Sequence, residues 1–262
     1  LKGRGLSGAI AKQFGLGYAP EGWRSLASVF PNYDDPLLAE SGLVIVNEED
    51  NKRYDRFRDR VMFPIRNVKG ECIGFGGRVL GDEKPKYLNS PETPLFHKGA
   101  TLYNLHNARK AAHDAGTVIA VEGYMDVIAL TAAGFPQTVA PLGTALTPEQ
   151  CQLLWRMADE PILCFDGDGA GIKAAYRALD LALPLLTPGQ SLRFAFLPQG
   201  QDPDDLLKAE GPEAVKTVVA EARPMSEVLW TRALETNDRA TPERRAQFER
   251  AQRGFRASLG QR

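Results

Sequence analysis

The chain has 262 residues, 43% of them hydrophobic and 25% charged, and its 32 Lys and Arg against 33 Asp and Glu leave a formal net charge of −1. These values describe a folded globular chain of one or two domains and exclude a disordered polymer, a collagen-like repeat and a membrane bundle, since the longest apolar runs, near 117–121 and 161–165, are far too short to span a bilayer. The charge is unevenly spread: residues 51–110 hold 13 basic and 6 acidic residues, net +7, whereas residues 115–205 hold 4 basic and 11 acidic, net −7. The pattern fits an anion-binding groove beside a carboxylate cluster, as well as two ordinary solvated surfaces of opposite sign.

In chain order, residues 1–50 read as mixed and loop-rich, with a short helical turn at 37–39. Residues 61–65 and 72–79 are β-prone around a 67–70 turn and predict a hairpin. Residues 81–99, rich in Gly, Pro, Asn and Ser, predict an extended loop, and 105–115 a helix. From Thr117 onward, short apolar β-runs at 117–121, 137–140, 161–165 and 192–197 alternate with helical patterns at 124–133, 148–157 and 171–186. Thr147, Pro148 and Gln150 form a capping box with proline at the first helical position. This alternation predicts an α/β fold with an open parallel sheet covered on both faces. Beyond Asp202 only helix starts are visible, at 202 or 204, at 211–212, at Pro224 and at 241–242. The expected organisation is therefore α+β overall: a mixed basic lobe (1–114), an α/β unit (115–205) and a small helical unit (206–262).

Parallel sheets gather ligands at the carboxyl ends of their strands. Glu122 follows the first run, Asp166 and Asp168 the third, and Asp202 and Asp204 the fourth. Asp126 lies one helical turn beyond Glu122 and can face the same place. Carboxylates so crowded call for a cation, and hard oxygen donors suit Mg²⁺ or Mn²⁺. Each acid alone also fits a helix cap, and for Asp202 and Asp204 capping and ligation are equally good readings. Gly167 and Gly169 are expected to let the backbone turn and to keep space open. Cys72, Cys151 and Cys164 form no CxxC pair, which predicts no zinc site and no disulfide framework and suits a reducing, cytoplasmic setting. His97, His106 and His113 lack any metal-ligand pattern with the carboxylates.

Val121-Glu122-Gly123-Tyr124-Met125-Asp126 and Asp166-Gly167-Asp168 resemble the glutamate and DxD motifs of the Toprim domain. The stretch from Arg56 through Val61-Met62-Phe63-Pro64-Ile65-Arg66 and Gly74-Phe75-Gly76-Gly77-Arg78, followed by Lys86-Tyr87-Leu88-Asn89-Ser90-Pro91-Glu92-Thr93 and Phe96-His97-Lys98-Gly99, resembles the bacterial DnaG-type primase family over about residues 1–210. The resemblance implies a Toprim subdomain with a central parallel sheet, a mixed N-terminal lobe and a helical C-terminal part. It implies synthesis of short RNA primers from ribonucleoside triphosphates on single-stranded DNA, in the bacterial cytoplasm and as a monomer. Two or more Mg²⁺ or Mn²⁺ ions are implied, with Glu122, Asp166 and Asp168 as catalytic ligands and Asp202, Asp204 and Asp126 as further ones. Whether Glu122 ligates or transfers a proton stays open.

By the same resemblance, Arg56, Arg58, Arg78, Lys86 and Lys98 contact triphosphate or nucleic-acid phosphates, Tyr87 stacks on a base, and Asn89 hydrogen-bonds a nucleotide. Arg56 and Arg58 share a side if the chain is extended there. Arg53 and Arg60 read as exposed surface charge. The family's zinc-binding and helicase-binding modules are not visible, and the start at Leu1 reads as a catalytic-core fragment. A Toprim nuclease or topoisomerase fragment is the alternative; it explains the acids but not the basic 78–98 loop. A binding module with structural carboxylates would bind nucleic acid without metal.

Overall fold

The computed structural model describes residues 7–81, 84–143 and 145–236. The basic half begins with α1 (Gly8–Phe14), capped by Ser7, whose Oγ accepts the Ile10 N–H at 3.2 Å. β1 (Gly17–Ala19), α2 (Pro36–Glu40), β2 (Val44–Val46), β3 (Arg53–Asp55), β4 (Arg60–Arg66), β5 (Cys72–Val79) and β6 (Tyr87–Asn89) follow. Four of these strands form an antiparallel sheet in the order β1-β4-β5-β6, while β2 and β3 pair separately. The expected hairpin is β4–β5; its turn is held by the Asn67 side-chain oxygen, which accepts the N–H groups of Lys69 (2.9 Å) and Glu71 (3.1 Å). Phe63 and Ile65 of β4 are fully buried.

The acidic half runs β7 (Leu102–Tyr103), α3 (Leu105–Ala115), β8 (Ile119–Ala120), α4 (Tyr124–Ala132), β9 (Thr138–Pro141), α5 (Pro148–Trp155), β10 (Ile162–Gly167), α6 (Gly169–Ala182) and β11 (Arg193–Gln199). α7 (Pro203–Glu210), α8 (Pro212–Ala220), β12 (Arg223–Pro224) and α9 (Met225–Thr236) complete it. The six-stranded sheet has the order β12-β11-β10-β8-β9-β7. Its four inner strands are parallel, and β7 and β12 add antiparallel flanks. One face packs Leu154, Leu179, Phe194 and Val228 from α5, α6, β11 and α9. The other packs Ile128 and Leu206 of α4 and α7 together with Phe63 and Ile65 of β4, so one apolar core joins the sheets of both halves. The capping box at Thr147 is present in full: Gln150 N–H donates to Thr147 Oγ1 and Thr147 N–H to Gln150 Oε1, each at 3.1 Å.

Three expectations are corrected. The 81–99 loop contains β6, three residues that become a strand because β5 supplies an antiparallel partner. The region after Asp202 contains β12, which finds its partner on β11. Arg60 is buried, its Nη1 donating to Gly77 O (3.2 Å) and Pro85 O (3.0 Å), because β4 carries its guanidinium inward beneath these two carbonyls. The helix start at 241–242 lies outside the described residues.

Candidate active site

The acids meet at the carboxyl edge of the parallel sheet. Glu122 stands just beyond β8, and Asp126 lies in the first turn of α4, where its Oδ2 accepts the Gly123 N–H at 3.1 Å. Asp166 occupies the end of β10. Asp168 caps α6, its Oδ1 accepting the Gly171 N–H at 2.7 Å. Asp202 caps α7 through the Asp205 N–H at 2.7 Å, and Asp204, 6% exposed, pairs with Lys208 one turn further on. The ends of β10 and β11 are tied by Gly200 N–H to Gly167 O (3.2 Å) and Gly167 N–H to Gln201 O (3.3 Å). This tie brings the DxD segment beside Asp202.

The electrostatics follow from this crowding. Burial and the neighbouring Asp202 and Asp166 push Asp126 up to about 8. Asp166 is pushed up to about 6 by burial, Glu122 and Asp202. Glu122 is raised by burial and by Asp168, against an Asp166 N–H bond and the charge of Arg177, which lower it. Hard oxygen donors in mutual repulsion fit a divalent cation. Among the described residues, however, no three His, Cys, Asp or Glu side chains stand close enough to form a ready cage. The physical reason is visible in the bonds above: Asp126, Asp168 and Asp202 satisfy backbone N–H groups and Asp204 holds a lysine. Asp202 is thus both a cap and a member of the cluster, and since Asp126, Asp168 and Asp202 each keep a second carboxylate oxygen outside these N–H bonds, the donor set fits a metal once the side chains draw closer together.

Opposite the acids lies the basic lobe. A cavity of about 440 Å³ is lined by Glu122, Asp126, Asp202 and Asp204 on one side and by Lys86, Tyr87, Asn89 and Lys98 on the other. Asp166 and Asp168 sit beside it and do not line it. Arg78 places its guanidinium 5.7 Å from the Tyr87 ring centroid, with Nε buried and without a partner among the described residues. Arg56 and Arg58 diverge, because the chain leaves strand geometry after Asp55. Arg56 donates to Asn89 O (3.0 and 3.2 Å), whereas Arg58 stacks 4.1 Å from the Trp23 ring and 5.2 Å from the Tyr54 ring.

Two residues expected to meet nucleotide also hold the halves together. Asn89 accepts the Tyr124 hydroxyl at 2.8 Å and donates to Leu142 O at 3.1 Å, spanning from β6 to the sheet edge. Tyr87 stacks on Tyr124 at 6.0 Å, and Tyr124 stacks on Phe63 at 5.0 Å and meets Tyr103 edge-on at 4.6 Å. Sequence reasoning missed Tyr124 as this hub. It also missed Gly76, where an added Cβ would lie 2.5 Å from Tyr124 Cζ. Gly171 and Lys208 were missed as well. The glycine expectation is corrected in part: Gly167 and Gly171 have no room for a Cβ against neighbouring backbone, whereas Gly169 faces open space.

Known proteins resemble this chain in sequence and fold. Residues 1–109 match the model of the DNA primase catalytic core, N-terminal domain, and residues 116–195 match the Toprim domain. A DNA primase of Pseudomonas aeruginosa is 51% identical over 249 residues, covering 94% of this chain and 38% of its own length. That of Escherichia coli K12 is 46% identical, covering 95% of this chain and 43% of its own length. The chain thus spans about two-fifths of the length of these curated relatives. Among solved structures, a DNA primase domain from Pseudomonas aeruginosa superposes with a TM-score of 0.89 at 50% identity, covering 95% of this chain and 78% of that one. A DnaG primase catalytic domain bound to single-stranded DNA gives a TM-score of 0.87 at 46% identity, covering 94% and 78%. With its basic lobe, Toprim sheet and strand-end acids, the chain belongs to the DnaG-type DNA primase family, to its catalytic core.

Proposed function

We propose that this chain is the nucleotidyl-transfer core of a DNA primase, joining ribonucleotides on a single-stranded DNA template. The observation that carries the reading is the cavity walled by Lys86 and Lys98 on one side and four carboxylates on the other. Such a site attracts both halves of a metal–triphosphate complex: lysines neutralise phosphate oxygens as point charges, and carboxylates hold the cation. Glu122, Asp166 and Asp168, with Asp126, Asp202 and Asp204, would hold Mg²⁺ or Mn²⁺, which supplies activation of a 3′-hydroxyl and stabilisation of departing pyrophosphate.

The chain's own residues prepare the rest. Arg78 holds its guanidinium beside the Tyr87 ring and adds positive charge behind that cavity wall. Asn89, anchored to Tyr124 and Leu142, fixes β6 relative to the acid edge, so that the lysines and carboxylates address one substrate. Glu122, its pKa raised by burial and by Asp168, stands at the cavity wall where it serves ligation or proton acceptance. Arg58, stacked between Trp23 and Tyr54, presents a cationic aromatic surface on the basic lobe suited to a nucleic-acid strand.

The division into a basic lobe (1–114), a Toprim unit (115–205) and a helical unit (206–262) is part of this reading. So are ribonucleoside triphosphates and an RNA primer as ligands, a replicative helicase and a zinc-binding module as partners in the whole protein, a monomeric state and a bacterial cytoplasmic location. Among the described residues no helix is long and apolar enough to cross a membrane.

The test is primer extension by the purified chain with labelled ribonucleotides, single-stranded DNA and Mn²⁺. Polymerisation that falls at least 100-fold in Glu122→Gln and Asp168→Asn supports the reading, in line with the 10²–10³-fold typical of losing one strong electrostatic contact. Polymerisation indifferent to both substitutions, or nicking of DNA with a tyrosyl adduct, refutes it.

A further inference from the structure

We propose that Lys208 is the resident counter-ion of the acid cluster and competes with a divalent cation for Asp204. The inference rests on the metal-binding reading above and concerns what occupies the carboxylate before the metal does. Asp204 is 6% exposed, and its Oδ2 takes the Lys208 ammonium from one helical turn away. A buried carboxylate without a compensating charge is strongly unfavourable, and at Asp204 the Lys208 ammonium supplies that charge. The other acids lining the cavity do without one in different ways. Asp126 and Asp202 accept backbone N–H groups, and Glu122 feels the charge of Arg177 without an ion pair to it. Among the described residues lining this cavity, Asp204 is the carboxylate directly ion-paired with a cation.

The pair is asymmetric in a way that favours exchange. The Lys208 side chain is 47% exposed while that of Asp204 is 9% exposed. The lysine stem can swing its head back into water from the surface of α7, whereas the carboxylate remains fixed in the first turn. A cation arriving at Asp204 therefore meets a preformed anionic seat whose occupant leaves without unfolding anything. The competition weakens cation affinity at Asp204 by the free energy of the ion pair that must be broken.

The test uses the whole 262-residue chain and Mn²⁺ alone, with bound Mn²⁺ read from the loss of the free-ion electron paramagnetic resonance signal. Lys208→Met and Lys208→Gln both remove the charge; Gln keeps a hydrogen-bond donor should Met fold poorly, and circular dichroism checks each fold. The expected result is about tenfold tighter Mn²⁺ binding in both, about 1.4 kcal/mol. Lys208→Arg should stay within about twofold of wild type, and the gain should vanish when Lys208→Met is combined with Asp204→Asn. Unchanged affinity in Met and Gln, or a gain that survives Asp204→Asn, overturns the proposal while leaving metal binding intact. Failure of wild type and every variant to bind Mn²⁺ overturns the metal reading and this proposal together.

Discussion

An alanine at position 167 places a methyl group 2.5 Å from Leu197 O and closer still to Pro198 O, where ordinary contact begins near 3.4 Å. Both obstacles are backbone of β11, so no side chain can swing aside, and the ends of β10 and β11 must separate by about 1 Å or more. That separation stretches the two bonds joining Gly167 to Gly200 and Gln201, already 3.2 and 3.3 Å long. Two lost hydrogen bonds at about 0.5–1.5 kcal/mol each, with about 1–3 kcal/mol for overpacking, give roughly 2–6 kcal/mol. For a chain of this size the thermal midpoint should fall by roughly 4–24 °C. Gly171→Ala should behave alike, since its methyl would lie 3.0 Å from the Asp166 carbonyl carbon and closer to the oxygen. Gly169→Ala is the control: nothing stands within 4 Å, and alanine in the first turn should stabilise by about 0.4–1 kcal/mol. Thermal melts by circular dichroism, paired with Mn²⁺-dependent primer extension, read both effects. Equal melting of the 167 and 169 variants would refute the steric account of the DxD loop.

Other outcomes follow from the same contacts. Gly76→Ala should lower stability by about 1–3 kcal/mol, because its methyl meets the Tyr124 ring wedged between Phe63 and Tyr103; adding Tyr124→Leu should return most of the loss in a urea titration. Asn89→Leu strands the Tyr124 hydroxyl and Leu142 O and should cost about 1–3 kcal/mol while raising the nucleotide KM more than it lowers kcat; steady-state kinetics with unchanged KM would contradict the anchoring role. In chelator-treated protein, Asp126 and Asp166 titrate near 8 and 6, above the ordinary carboxylate value, so the folded state binds more protons than the unfolded one between about pH 4 and 8. Stability should therefore fall as pH rises through that window, and Asp126→Asn should flatten the slope of midpoint against pH; a midpoint that climbs from pH 6 to 8 would contradict the sign.

Much of this architecture is legible in local signals. The run before Glu122, the capping box at Thr147 and the helix over Leu105–Ala115 are set by patterns a few residues long, and they appear where those patterns place them. What is not legible depends on a distant partner. Tyr87–Asn89 has the composition of a loop and becomes a strand because β5 lies alongside. Arg60 looks like any charged residue at a strand end until the carbonyls of Gly77 and Pro85 close on it. The DxD acids are visible from their strand-end position, but the glycines around them differ for reasons that only the folded backbone reveals: β11 stands against Gly167 and the Asp166 carbonyl against Gly171. Lys208 is an ordinary helix lysine in sequence; its meaning comes from the burial of Asp204.

The short flanks of the sheets carry a consequence for self-association. The six-stranded sheet is bordered by β7 and β12, two residues each, and β12 ends in Pro224, which has no N–H to offer. The four-stranded sheet is bordered by β1 and β6, three residues each. A second copy seeking to extend either sheet finds too few consecutive donors and acceptors to hold a register. A basic groove and an acidic edge on the same molecule invite copies to attract one another, and these clipped borders deny that attraction a continuous backbone ladder on which to settle into fibres.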